Sequence, residues 1–211
     1  MNFLELINKC LLELNYRQVN AYSELTKNDH KRIITILNII NKEICATKKW
    51  NFLLRRTQQN LAANSTEILN PINGRILYLF VEGKRYNYVD TEKFLSENQT
   101  FQKYSDYENK LLFPKFNKDN KLEIIYYTNN CVLDENGKEK TDFDSPTDKS
   151  LIPMPFVEQL LVYGTCMRLK ANPQYFKFSY WMSMYKEALA NLKSKSTIAT
   201  SNTPTIKLSR I

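Results

Sequence analysis

The chain has 211 residues, of which 43% are hydrophobic and 25% charged, and its formal net charge is +8. Such a composition belongs to a folded chain long enough for one domain, or one domain with a small module, and it excludes overall disorder. Four glycines leave no phosphate-cradling loop, and His30, the one histidine, leaves almost no room for a histidine metal site. The positive charge points only weakly, to nucleic acid or acidic protein patches.

Phe3, Leu4, Ile7, Leu11 and Leu14 recur at helical spacing and predict a first helix. Its interspersed Glu5, Lys9 and Glu13 are incompatible with a signal peptide, and no stretch is apolar enough to cross a membrane. Thr26 and Asp29 resemble a capping box before a second helix, whose main stripe is Ile33, Ile36, Leu37, Ile40 and Ile44. Ile34 and Ile39 lie off that stripe. They pack either against a second neighbour in the same subunit or against an adjacent subunit, which makes them subunit-interface candidates. His30 sits in Asp29-His30-Lys31-Arg32, where an exposed position in the capping region is expected.

After Trp50 the period changes. Phe52 to Leu61 reads as a strand, Asn70-Pro71 and Asn73-Gly74 as a loop, and Ile76 to Val81 as a strand buried on both faces. Glu82-Gly83-Lys84 turns the chain toward Tyr86 and Tyr88, a hairpin, and a short helix fits Thr91 to Glu97. Lys110 to Phe113 and Leu122 to Tyr127 flank Asn117-Lys118-Asp119-Asn120 as a second hairpin. Cys131 to Ser150 is acid-rich, lacks the alternating acids of a calcium loop, and reads as surface loop.

Met154 to Lys170 is apolar around most of its circumference and predicts a buried helix, with Gly164 allowing close approach of a neighbour. Asn172-Pro173 is expected to start the last helix, whose stripe is Phe178, Trp181, Met182, Tyr185, Leu189 and Leu192. From Ser194 to Ile211 periodicity is lost. At the very end Ile206, Leu208 and Ile211 alternate with Lys207, Ser209 and Arg210, so Thr205 to Ile211 suits docking on a partner by strand addition or groove insertion better than a frayed end. The fold class is therefore expected to be α+β. An antiparallel helical core from residues 1–50 and 153–195 would carry an inserted small antiparallel β module at 51–130, an acidic surface loop at 131–152 and an extended tail at 196–211.

No sequence feature supports catalysis. Neither a His-Glu-x-x-His, a Gly-x-Ser-x-Gly nor a Walker pattern occurs, so the reading is non-enzymatic, with no catalytic residue, metal ligand or cofactor. Cys10, Cys45, Cys131 and Cys166 share no zinc or redox spacing and read as isolated buried thiols.

Three stretches, in order, resemble the head-to-tail adaptor proteins of short-tailed bacteriophages, also called tail tubular protein A or tail accessory factor. They are Phe3-Leu4-Glu5-Leu6-Ile7-Asn8-Lys9, then Leu37-Asn38-Ile39-Ile40-Asn41-Lys42-Glu43-Ile44 with Trp50-Asn51-Phe52, then Leu151-Ile152-Pro153 with Phe156 and Leu160-Leu161-Val162-Tyr163-Gly164. Asn38, Ile40, Asn41, Ile44, Trp50, Phe52 and Pro153 carry the motif. The family's glycine before the tryptophan is Lys49 here, and the loop before it is one residue longer. The Asn-, Lys- and Ile-rich composition suits an A/T-rich genome, such as that of a crAss-like phage. The resemblance implies a structural virion protein at the portal-tail junction, made in the host cytoplasm. It implies a connector ring, typically a dodecamer, whose partners are the portal protein, neighbouring copies, and a tail nozzle or other tail protein. DNA would pass through the lumen without sequence specificity, and the C-terminal segment would extend onto the portal. A nucleic-acid-binding module, drawing on Lys48-Lys49, Arg55-Arg56 and the tyrosines, is the alternative, as is another virion component such as a stopper or nozzle subunit.

Overall fold

The first helix, α1 (Phe3–Glu13), starts at a capping box. The Glu5 N–H donates to Asn2 Oδ1 at 2.9 Å, and the Asn2 N–H donates to Glu5 Oε2 at 2.8 Å. Two amides that the helix itself leaves unmet are thereby satisfied, an arrangement typically worth about 1 kcal/mol. Phe3, Leu6, Ile7, Cys10 and Leu11 bury one face. Helix α2 (Asn28–Thr47) follows, but the expected Thr26–Asp29 box does not form: the helix starts after Lys27 with no side-chain cap. Its buried stripe is Ile33, Leu37, Ile40 and Ile44, joined by His30, Asn41 and Cys45. Phe52, expected to open a strand, lies in a 3-10 turn over Asn51–Leu53.

The computed structural model describes residues 1–96 and 101–198, with side chains through residue 195. Its chain divides into two compact units, Met1–Leu53 with Asn130–Ile211, and Leu54–Asn129. The second unit holds β1 (Leu54–Leu61), β2 (Glu67–Leu69), β3 (Gly74–Val81), β4 (Lys84–Tyr88), α3 (Thr91–Ser96), β5 (Lys103–Tyr107), β6 (Lys110–Leu112) and β7 (Asn120–Thr128). These strands form one seven-stranded sheet in the order β1-β7-β3-β4-β5-β6-β2. The sheet curls around its own apolar side chains, including Leu61, Leu79, Tyr104, Leu111, Phe113 and Leu122. The β3–β4 hairpin closes through Glu82 (φ 49°) and Gly83 (φ 72°), and β5–β6 closes through Glu108 (φ 47°) and Asn109 (φ 62°). Two successive left-handed residues match the twist of the flanking strands, which is why these loops make hairpins. The 110–113 and 122–127 segments do not pair as a hairpin: β6 lies between β5 and β2, while β7 lies between β1 and β3. Nor is Ile76–Val81 buried on both faces. Leu79 and Val81 are buried, Tyr78 is exposed, and the register shifts between Ile76 and Tyr78.

In the first unit, residues 131–152 are more than the expected surface loop. They contain β8 (Val132–Leu133), β9 (Glu139–Lys140) and β10 (Lys149–Ser150), in the sheet order β10-β8-β9. Phe143 is buried, its ring stacked on Phe3 at 4.6 Å between centroids, and Asp148 is fully buried. Helix α4 (Phe156–Glu158) continues through a π-helical stretch, Gln159–Tyr163, into α5 (Gly164–Leu169), and α6 spans Phe178–Ile198. Asn172 does not open α6. It forms a separate turn, accepting the N–H of Gln174 on its side chain and that of Tyr175 on its carbonyl. Among the described side chains of α6, Trp181, Ala188 and Leu192 are buried, and Trp181 Nε1 donates to Glu13 Oε2 at 3.0 Å.

The α+β class holds, but the expected architecture does not. The dominant element is the seven-stranded curled sheet, so this is not an antiparallel helical core with a small β module. Nor is the sheet wholly antiparallel, since β4 and β5 pair in parallel. Strand β2 is only three residues long and β5 carries no run of β-branched or aliphatic residues, so a reading by periodicity misses them and undersizes the sheet.

Gly164 sits at a close approach between helices. A Cβ there would lie 3.0 Å from Tyr185 Cε2 and 3.2 Å from Ile40 Cδ1, so the side chain is absent where α5 meets α2 and α6. Gly164→Leu is expected to cost about 1–3 kcal/mol by overpacking. Gly164→Ala gains about 1 kcal/mol of helix propensity, which offsets a small shift of Tyr185. Urea unfolding of both variants checks this ordering; equal stabilities would contradict it.

Candidate assembly surface

The motif residues of α2 form a clasp. Asn38 and Asn41 stand three residues apart, on one helical face. Asn38 Nδ2 donates to the Phe143 carbonyl at 3.2 Å, and its Oδ1 accepts the Phe143 N–H at 2.7 Å. Asn41, fully buried, donates to the Cys131 carbonyl at 3.0 Å and accepts from Ser150 Oγ at 2.7 Å. Ser150 Oγ in turn accepts the Ile152 N–H at 3.0 Å. An amide side chain offers donor and acceptor together, so each asparagine satisfies groups that burial would otherwise leave unpaired. Ile40 and Ile44 are buried beside them. Trp50, with no exposure, donates Nε1–H to the Ile44 carbonyl at 2.6 Å and stacks on half-buried Phe52 at 5.7 Å. The Pro153 carbonyl accepts the Phe156 N–H at 3.0 Å and so opens α4.

The same unit exposes scattered apolar side chains. Ile34 is half-buried and Ile39 is 40% exposed. Lys42 and Glu43, the neighbours of Ile39 three and four residues on, are both paired. Lys42 Nζ lies 2.7 Å from Asp142 Oδ1, and Glu43 takes a two-pronged contact from Arg168, one arm at 3.1 Å. That contact raises the Arg168 guanidinium above its ordinary value, and the Lys42 hydrogen bond lowers the Asp142 carboxyl. An isoleucine beside satisfied charges has the make-up of an interface patch with a polar rim. Leu12, Met154, Phe176 and Tyr180 are further exposed apolar side chains of the same unit. On the sheet unit, the Arg85 guanidinium lies 4.7 Å from the centroid of the exposed Tyr78 ring. The docking segment Thr205, Ile206, Lys207, Leu208, Ser209, Arg210 and Ile211 lies outside the described residues.

Two expectations are corrected. His30 is 5% exposed, not a surface residue, because it falls on the buried stripe of α2 with Ile33 and Leu37 while its neighbours Asn28 and Lys31 stay exposed. The cysteines are buried and free but not isolated: Cys166 Sγ lies 3.8 Å from the Cys10 carbonyl, and Cys45 and Cys131 share a thiol hydrogen bond that pushes Cys45 up. Sequence spacing could not show either pair, since the partners lie far apart in the chain. Among the described residues no group of three or more His, Cys, Asp or Glu is placed to hold a metal ion, and no helix is long and apolar enough to cross a membrane. Comparison of the chain with protein-family models, and with curated proteins, returned no match.

Proposed function

We propose that this chain is a structural subunit of a head-to-tail adaptor ring in a short-tailed bacteriophage, joining portal to tail. One observation carries the reading. The stretches that resemble the adaptor family are far apart in the chain, yet they lie in one unit, where Asn38 and Asn41 clasp the segment leading into Leu151-Ile152-Pro153. That unit also exposes Leu12, Ile39, Met154, Phe176 and Tyr180, apolar side chains suited to contacts between copies. Ring closure uses two different faces of each subunit, so a scattered set of apolar patches serves it better than one self-complementary patch. In this mechanism a monomer docks on the portal, neighbours align along their apolar faces, and the closed ring presents a surface to the tail while DNA passes through its lumen.

The experiment mixes the chain with the portal protein of its own phage and images the product by electron microscopy. The full chain is expected to form a ring on the portal. Removal of residues 196–211 is expected to abolish attachment while leaving the thermal unfolding transition in place. Ile39→Asp is expected to weaken association between copies roughly tenfold or more. A chain that ignores the portal, or variants that assemble like the parent, would refute the assignment.

A further inference from the structure

We propose that the N-terminus of α2 binds a terminal phosphate, free or carried by a mononucleotide. A cleft of about 280 Å³ opens there, lined by Asn15, Tyr16, Arg17, Lys27, Asp29 and His30. Four features converge on it. First, α2 is 20 residues long and its N-cap residue, Lys27, makes no side-chain cap, so the first-turn amides of Asn28, Asp29 and His30 have no helical or capping partner among the described residues at the positive end of the helix dipole. Second, His30 is 95% buried, and its Nδ1 has no hydrogen-bond partner among the described residues. A buried polar atom normally has a partner, and a phosphate oxygen would accept from the ring N–H. Third, Arg17 and Lys27 are exposed and pair with no carboxylate among the described residues. Fourth, Lys170 Nζ donates to Tyr16 Oη at 3.2 Å and adds positive charge behind that side chain.

Asp29 is the acidic residue of the lining, and it faces Arg32 at 3.9 Å. That pair leaves Arg17 and Lys27 as net positive charge, matched to the two negative charges of a terminal phosphate. Three phosphate oxygens can take hydrogen bonds from the helix amides, the Arg17 guanidinium and the His30 ring together. The ammonium of Lys27, at the N-cap position, adds a point charge beside them.

The test uses the single histidine, whose ring signals need no assignment. The full chain is titrated with inorganic phosphate, and with chloride and acetate at matched ionic strength, while the His30 ring ¹⁵N resonances are followed. Saturable shifts with phosphate alone are expected. The double variant Arg17→Gln, Lys27→Gln changes exposed side chains only and is expected to bind at least tenfold more weakly with its fold intact. Adenosine 5′-monophosphate binding no more tightly than phosphate assigns the free anion, and tenfold tighter binding assigns the nucleotide. Equal responses to acetate or chloride, or unchanged affinity in the double variant, would overturn the proposal.

Discussion

Trp50→Ala is expected to destabilise the first unit by about 4 kcal/mol, as truncation of a fully buried large aromatic does. The indole has no exposure, and its ring stacks on Phe52 and lies 5.8 Å from the Lys48 ammonium. Its Nε1–H also supplies a donor to the Ile44 carbonyl, one of the carbonyls that the end of α2 leaves without a helical partner. The alanine variant therefore loses apolar burial and orphans a buried acceptor at once. Trp50→Phe separates the two effects. It keeps an aromatic ring in place and loses the hydrogen bond with a smaller part of the burial, so the expected cost falls to about 1–2 kcal/mol. Urea unfolding followed by far-ultraviolet circular dichroism measures both. A cost below about 1 kcal/mol for the alanine variant would show that this tryptophan does not hold the end of α2 in place.

Asp148→Asn is expected to cost about 2–3 kcal/mol at pH 7, with a pH dependence of defined sign. The Asp148 carboxylate is fully buried, accepts the N–H groups of Asp144 and Ser145 at 2.8 Å each, and takes Lys140 Nζ at 2.7 Å. Burial by itself would raise its pKa, but Lys140 and the two amides outweigh that and hold the carboxyl below its ordinary value. Breaking a buried pair usually costs about 3–5 kcal/mol. The smaller figure applies here because the Lys140 side chain is 24% exposed and can rehydrate, and because Oδ1 accepts no hydrogen bond among the described residues. A depressed folded-state pKa means that the contribution is complete above the unfolded value of about 3.9 and is lost as pH falls through the folded value. Parent and variant should therefore differ most at pH 7 and converge toward pH 3. In a Lys140→Met background the substitution should cost clearly less, since the partner charge is gone. A difference that stays constant from pH 7 to pH 3 would contradict the assignment.

Much of the helical structure is legible in the residues themselves. The spacing of Phe3, Ile7 and Leu11, and of Ile33, Leu37, Ile40 and Ile44, predicts the buried faces of α1 and α2, because helical periodicity is a local property. The Glu82-Gly83 turn is equally local, since two left-handed residues select one hairpin geometry. Gly164 can also be read as a contact point before its neighbours are known.

Strand partners are different, because a strand's own alternation says which face is buried but not which distant segment lies alongside. Lys110–Leu112 borders Glu67–Leu69 and not Asn120–Thr128, and that choice made the β region a dominant sheet instead of a small module. Burial of polar groups is likewise decided by closure of the chain. Asp148 reads as one acid among many in a surface loop until Lys140 and two amides surround it, and His30 reads as an exposed capping-region residue until the fold buries the stripe of α2 on which it lies. The motif asparagines show both levels at once. Their spacing on α2 is written in the sequence, but the carbonyls, amide and serine hydroxyl they clasp, 90 to 109 residues away, are supplied only by the tertiary fold, because a buried amide side chain is satisfied by whichever polar groups the folded chain brings to it.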